Sequence, residues 1–171
     1  GLLDQAYMMA DEFLASDTIV YTRTRNDKNN EAYVARSGQS LENIPLIVLI
    51  DAGSASASEI VSGSIQDNDR GLIVGTNSFG KGLVQRQLPL SDGSAIRLTI
   101  ARYYTTSGRC IQRPYKDKAN YRNLFGRLEL EEGLNLEHAL DKIKKEEANK
   151  KDKIDLDSIE IFYTKIGRPV L

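Results

Sequence analysis

Pro45-Leu-Ile-Val-Leu-Ile-Asp-Ala-Gly-Ser-Ala-Ser-Ala-Ser-Glu59 carries an apolar run, a glycine turn and a serine cluster in direct succession. Leu46 to Ile50 is continuous, rich in β-branched residues and opened by proline, which reads as a strand buried on both faces. Beyond Gly53 the apolar positions Ala57, Ile60, Val61 and Ile65 recur at helical spacing, and Asn68 and Gly71 supply a stop. The stretch is a strand, a tight turn and a helix. Chemistry tends to sit where such a strand ends.

Ser54, Ser56 and Ser58 straddle the predicted helix start. Backbone N–H groups without intrahelical partners and the positive end of the helix dipole stabilise an oxyanion there, so one of the three fits a nucleophile. Ser56-Ala57-Ser58-Glu59 also has the S-x-x-E spacing of a capping box. Catalysis and capping compete for one hydroxyl. A serine nucleophile needs a base, usually histidine. The single histidine, His138, lies in a heavily charged segment that reads as a solvated helix. Lysine is the known substitute. An unperturbed lysine near pKa 10.4 is neutral in only about 0.04 % of molecules at pH 7, so a working lysine base must be buried. Lys81 stands between glycines in Ser78-Phe-Gly-Lys-Gly82, away from the charged stretches, and is the candidate.

If Lys81 to Gln85 is extended, their even separation puts both side chains on one face, where the Gln85 amide oxygen can accept from the lysine amine. An amide orients the amine without the carboxylate charge that would keep it protonated. An ordinary polar strand residue is the other reading of Gln85. Gly75-Thr-Asn-Ser-Phe-Gly-Lys81 matches the first seven positions of a phosphate-binding P-loop. Gly82 then removes the magnesium-binding hydroxyl, and Leu83 to Leu90 alternates like a strand where a P-loop needs a helix. Nucleotide binding is therefore disfavoured.

Gly53-Ser-Ala-Ser-Ala-Ser-Glu-Ile60, Gln66-Asp67, Ser78-Phe-Gly-Lys-Gly82 and Gln85 together resemble the C-terminal processing peptidases, or tail-specific proteases. The resemblance covers residues 1–113 well and the remainder poorly. It implies Ser56 as nucleophile, Lys81 as general base and Gln85 as the residue that orients the lysine. It further implies an oxyanion hole made by the Ala57 N–H and by a glycine-rich loop whose last residue is Gly1. The implied architecture is α/β, a mixed sheet with covering helices in the crotonase- and ClpP-like ββα manner. The implied substrates are polypeptides cut near their C-termini, with no metal or cofactor. A PDZ domain is expected in the parent protein, and a periplasmic or cell-envelope location is implied for bacteria. By the same resemblance the chain reads as one catalytic domain cut at both ends, so these residues alone are expected to show little peptidase activity. A peptide-binding or scaffolding domain that keeps the fold without turnover is the alternative.

The 171 residues suffice for one core. A net charge of −1 gives no polybasic footprint for nucleic acid or anionic membrane, and no apolar run is long enough for a membrane span. Cys110 is the only cysteine, so there is no internal disulfide, and it reads as a buried strand residue. One helix is expected near the start, from the apolar positions 3, 6, 7, 10, 13 and 14. Strand-like segments at 18–24 and 31–36 flank a turn-rich run, as do segments at 83–90 and 95–105, and each pair reads as a hairpin. Tyr103 and Tyr104 read as core residues or as the lining of a groove. Half of the residues from Lys116 to Asp157 are charged, and 114–157 reads as an insertion bearing a surface helix at 135–148. Residues 158–164 read as a final strand returning to the sheet.

Overall fold

The computed structural model of the chain describes residues 2–114 and 160–170. Helix α1, Leu3–Asp11, forms where the apolar spacing predicts it, burying Ala6 and Ala10. Strand β1, Thr18–Thr24, turns back through one 3₁₀ turn at Asp27–Asn29 into β2, Ala32–Val34. The pair is antiparallel. Beyond the last pair, Thr18 with Val34, the Ala35 N–H still reaches the Asp17 carbonyl, and the pairing ends where the Arg36 N–H turns to the buried Asp11 carboxylate.

Strands β3, Ile47–Ile50, and β4, Leu72–Gly75, pair in parallel, with helix α2, Ala57–Asp67, as the crossover that parallel strands require. The Arg70 guanidinium fixes the entry to β3 by donating to the carbonyls of Phe13, Leu41 and Ile44. Helix α2 ends in a Schellman arrangement: Asp69 takes φ 54°, its N–H reaches the Gln66 carbonyl and the Arg70 N–H reaches that of Ile65. The helix therefore stops at the predicted Asn68, its C-cap, with Asp69 and not Gly71 as the left-handed residue that follows.

Strands β5, Leu83–Pro89, and β6, Ala95–Tyr104, form the second antiparallel pair, and β6 also pairs with β1, giving the order β2-β1-β6-β5. Ala6, Ala10, Leu14, Ile19, Val20, Ile60, Ile65 and Tyr103 make the core where α1 and α2 meet the sheet.

The expectation of an α/β fold with helices against strands holds, but among the described residues parallel and antiparallel pairings occupy separate sheets instead of one mixed sheet. Among the described residues, strand β3 is covered on one face only. Val48 packs against the core, whereas Ile47 and Leu49 are 60 % and 76 % exposed, because α2 covers a single side of the two-stranded sheet. Leu72 and Val74 lie opposite them in register and share that open face. The final strand is short: β7, Phe162–Tyr163, pairs with β8, Pro169–Val170, in a sheet of its own. Cys110 is exposed, against expectation, since it only bridges the end of β6 at Tyr104. Tyr103 is a core residue, while Tyr104 stacks on Tyr21 with the Arg23 guanidinium over both rings. His138, the helix at 135–148 and the charged segment beyond Pro114 lie outside the described residues. No helix among the described residues is long and apolar enough to cross a membrane.

Candidate active site

The turn between β3 and α2 assigns the three serines different jobs. One oxygen of the Asp51 carboxylate accepts from the N–H groups of Gly53 and Ser54 and from the Ser54 hydroxyl, whose oxygen accepts the Asp51 N–H in return. Ser54 is thus consumed in building the turn. Ser58 sits in the first turn of α2 and is exposed. Ser56 is the N-cap, with φ 58° and ψ −108°, outside the ordinary regions for a residue with a side chain. Such a conformation costs on the order of 1–3 kcal/mol and persists only where the surroundings enforce it. The predicted capping box is present, and its Glu59 half accepts the Ser56 N–H at 2.8 Å. Ala57 follows as the first helical residue, where the N–H has no carbonyl one turn back to bond.

Glu59 does more than cap its helix. Only 5 % exposed, its carboxylate also accepts the Ser78 hydroxyl at 2.7 Å, the Gly80 N–H at 2.5 Å and the Lys81 N–H at 2.8 Å. Oε2 is shared by the Ser56 and Lys81 N–H groups, each at 2.8 Å, so these two nitrogens lie no farther apart than twice that distance. From the other side, the buried Gln112 amide oxygen accepts the Gly82 N–H at 3.1 Å, and the Arg113 N–H reaches the Gly80 carbonyl at 3.0 Å. The fit leaves no room for side chains at the flanking glycines. A Cβ on Gly80 would lie 2.8 Å from the Arg113 Cβ, and one on Gly82 would lie 2.8 Å from the Ile111 Cβ. With the Phe79 N–H bonded to the Ser54 carbonyl, the amides of residues 79 to 82 are all occupied within the protein. A P-loop offers those amides to phosphate and leads into a helix, whereas here the amides are taken and a strand follows, so the stretch Gly75–Lys81 does not have the P-loop arrangement.

The sequence profile described as Peptidase family S41 matches residues 1–117. The chain belongs to peptidase family S41. It is 52 % identical over 112 residues to a carboxy-terminal-processing protease of Bartonella bacilliformis, covering 66 % of this chain and 26 % of that one. A carboxyl-terminal-processing protease of a Synechocystis species is 45 % identical over 105 residues, covering 61 % and 24 %. Among solved structures, the photosystem II D1 C-terminal processing protease superposes with a TM-score of 0.60 at 36 % identity, over 66 % of this chain and 29 % of that one. This S41 chain thus spans about a quarter of the length of the curated relatives it matches.

Within the S41 chain, Ser56, Ala57 and the backbone of Lys81 come together at the N-terminus of α2. The Lys81 side chain does not meet the burial that a lysine base needs: it is exposed, and no hydrogen bond joins its amine to Ser56 or Gln85. Gln85 is exposed on β5. Lys81 precedes the first residue of β5, and the ladder shifts register between Val84 and Gln85, so the two are not carried on one uninterrupted strand. Gly1 lies outside the described residues. Sequence reasoning found Glu59 only as a capping partner. Its second use depends on residues 19 to 22 positions away, and Gln112 acts on Gly82 from 30 positions away, beyond any local spacing rule.

Proposed function

We propose that this S41 chain is the catalytic part of a serine endopeptidase that cleaves polypeptides near their C-termini by a Ser56–Lys81 mechanism. The observation that carries the reading is the shared Glu59 oxygen, which brings the strained Ser56 N-cap and the Lys81 backbone to one point. In the reaction the Ser56 Oγ attacks the scissile carbonyl carbon while the Lys81 amine takes its proton. The tetrahedral oxyanion is held by the Ala57 N–H and by a donor from the glycine-rich loop at Gly1. Collapse expels the amine of the leaving peptide, which takes the proton from Lys81, and water then hydrolyses the acyl-enzyme. Gln85 orients the lysine. The mechanism needs the Lys81 amine shielded from water, and among the described residues Lys81 is exposed.

The same reading takes the chain as one catalytic domain of crotonase- and ClpP-like ββα architecture with a charged insertion at 114–157. A PDZ domain in the whole protein would present polypeptide ends to the site, in the periplasm or cell envelope of a bacterium. One observation favours the binding-only alternative, namely the exposure of the Lys81 side chain.

Single alanine substitutions of the three serines in the whole protein, assayed on an unfolded polypeptide with the new ends mapped by mass spectrometry, separate the readings. Ser56→Ala is expected to lose about 10⁴- to 10⁶-fold in rate, in line with other serine nucleophile deletions. Ser54→Ala and Ser58→Ala lose far less. Equal losses in all three folded variants would assign the cluster a structural role, and a wild-type protein that binds the polypeptide without cutting it would establish the binding-only reading.

A further inference from the structure

The Glu59 carboxylate is a junction between two chain segments that share no sheet and no helix. Its own helix carries Ser56, and the loop that carries Lys81 leads from β4 into β5. Four donors converge on it: the Ser78 hydroxyl and Gly80 N–H on Oε1, the Ser56 and Lys81 N–H groups on Oε2. A carboxylate has acceptor sites for all four, and an amide of the same size does not. Burying so many donors without their acceptor costs more than a cap is worth, which is why a simple capping role underexplains the arrangement. Ser56 meanwhile holds a backbone conformation that needs outside support, and its N–H is pinned by the same oxygen that pins Lys81.

We infer that Glu59 is a positioning residue for the peptidase reaction: its carboxylate sets the separation between the nucleophile turn and the lysine loop, and so the alignment of Ser56 with its base. The inference rests on the Ser56–Lys81 reading above. Glu59 does not touch the reacting atoms. It acts by holding two backbones in register, and the Gln112 contact to Gly82 braces the loop from the opposite side. Misplacing reacting groups by about 1 Å typically costs on the order of 10²-fold in rate.

Glu59→Asp is the discriminating variant. It keeps a negative charge at the third helical position, so the favourable interaction with the helix dipole survives, but it withdraws the carboxylate by one methylene from all four donors, Ser56, Ser78, Gly80 and Lys81. Glu59→Gln is the second variant. It keeps the reach, and whichever way the amide turns, at least one backbone N–H faces the new NH₂ group. Both are made in the whole protein and compared by thermal melting, by kcat and KM on a polypeptide, and by the rate at which a small fluorophosphonate acylates Ser56.

The expected result is folded protein in which kcat and the phosphonylation rate both fall about 10²-fold while KM changes by less than about three-fold. Folded Glu59→Asp or Glu59→Gln protein that reacts with the phosphonate within about three-fold of wild type would overturn the inference. If Glu59→Gln does not fold, Glu59→Asp decides alone, and if neither folds Glu59 is a stability residue and the inference fails. Phosphonate labelling that persists in Ser56→Ala marks a different failure, that of the Ser56 reading itself, and takes the inference with it.

Discussion

Arg109 donates from its guanidinium to the Asp67 carboxylate at 2.6 Å, and the Asp67 side chain is completely buried. The same carboxylate accepts the Ser107 hydroxyl at 2.6 Å, so the last residue of α2 is tied to the turn that follows β6. Removing one partner of a buried ion pair strands the other charge, at a cost of about 3–5 kcal/mol. Asp67→Asn and Arg109→Met are each expected to lose stability on that scale in chemical denaturation. Arg109→Met should be the worse, because Asp67 is the deeper member. The double variant is expected to lose less than the sum of the two, and strict additivity would mean that the pair is not coupled.

Gly82→Ala tests the other brace of the lysine loop. The new methyl group would press on the Ile111 Cβ and backbone. Overpacking of this kind costs about 1–3 kcal/mol when the backbone cannot yield. A fall in Tm is expected together with a loss of peptidase rate, since the displaced loop carries Lys81. Unchanged activity alongside a lowered Tm would separate the brace from the chemistry.

Lys81→Arg keeps the positive charge and removes the ability to act as a base, because a guanidinium is effectively never deprotonated in a protein. Its activity is expected to fall to the level of Ser56→Ala in the same polypeptide assay. A Lys81→Arg enzyme with appreciable turnover would assign the lysine an electrostatic role instead.

Acid should loosen the contact between α2 and the β7–β8 hairpin. Burial pushes the Asp69 carboxyl upward, but the Ile166 N–H, the Thr164 hydroxyl and the Arg168 guanidinium outweigh it and hold the group below its ordinary value of 3.8. A carboxylate whose folded pKa is depressed adds stability at pH values above its unfolded pKa, and that contribution disappears as pH falls through the folded value. Melting curves across pH 2–7 should show Asp69→Asn less stable than wild type at neutral pH, with the difference narrowing below about pH 4. A gap that stays constant with pH would mean that the Asp69 carboxyl titrates alike in the folded and unfolded chain, and that its bonds to the hairpin do not depend on its charge.

The local elements were written in the sequence. Periodicity gave α1 and α2, turn residues gave both hairpins, and the S-x-x-E spacing gave the capping box at Ser56, because each of these depends on residues within about one turn or one strand of each other. The family resemblance of Gly53–Ile60 and Ser78–Gly82 was legible for the same reason, as two short, dense motifs.

Only the tertiary structure decided what the motifs do to one another. Nothing in the spacing of Glu59 says that its carboxylate, after capping its own helix, will take the Gly80 and Lys81 amides, since that contact exists only once β4 has returned the chain past the start of α2. The pairing of β1 with β6 and the ion pair of Asp67 with Arg109 are equally long-range. The same holds for burial. The run Leu46 to Ile50 is apolar throughout, but how many of its faces are covered depends on what packs against the sheet, and here α2 covers one. Sequence fixes which groups a chain can offer locally; burial and distance belong to pairs of segments, and pairs are made by the fold.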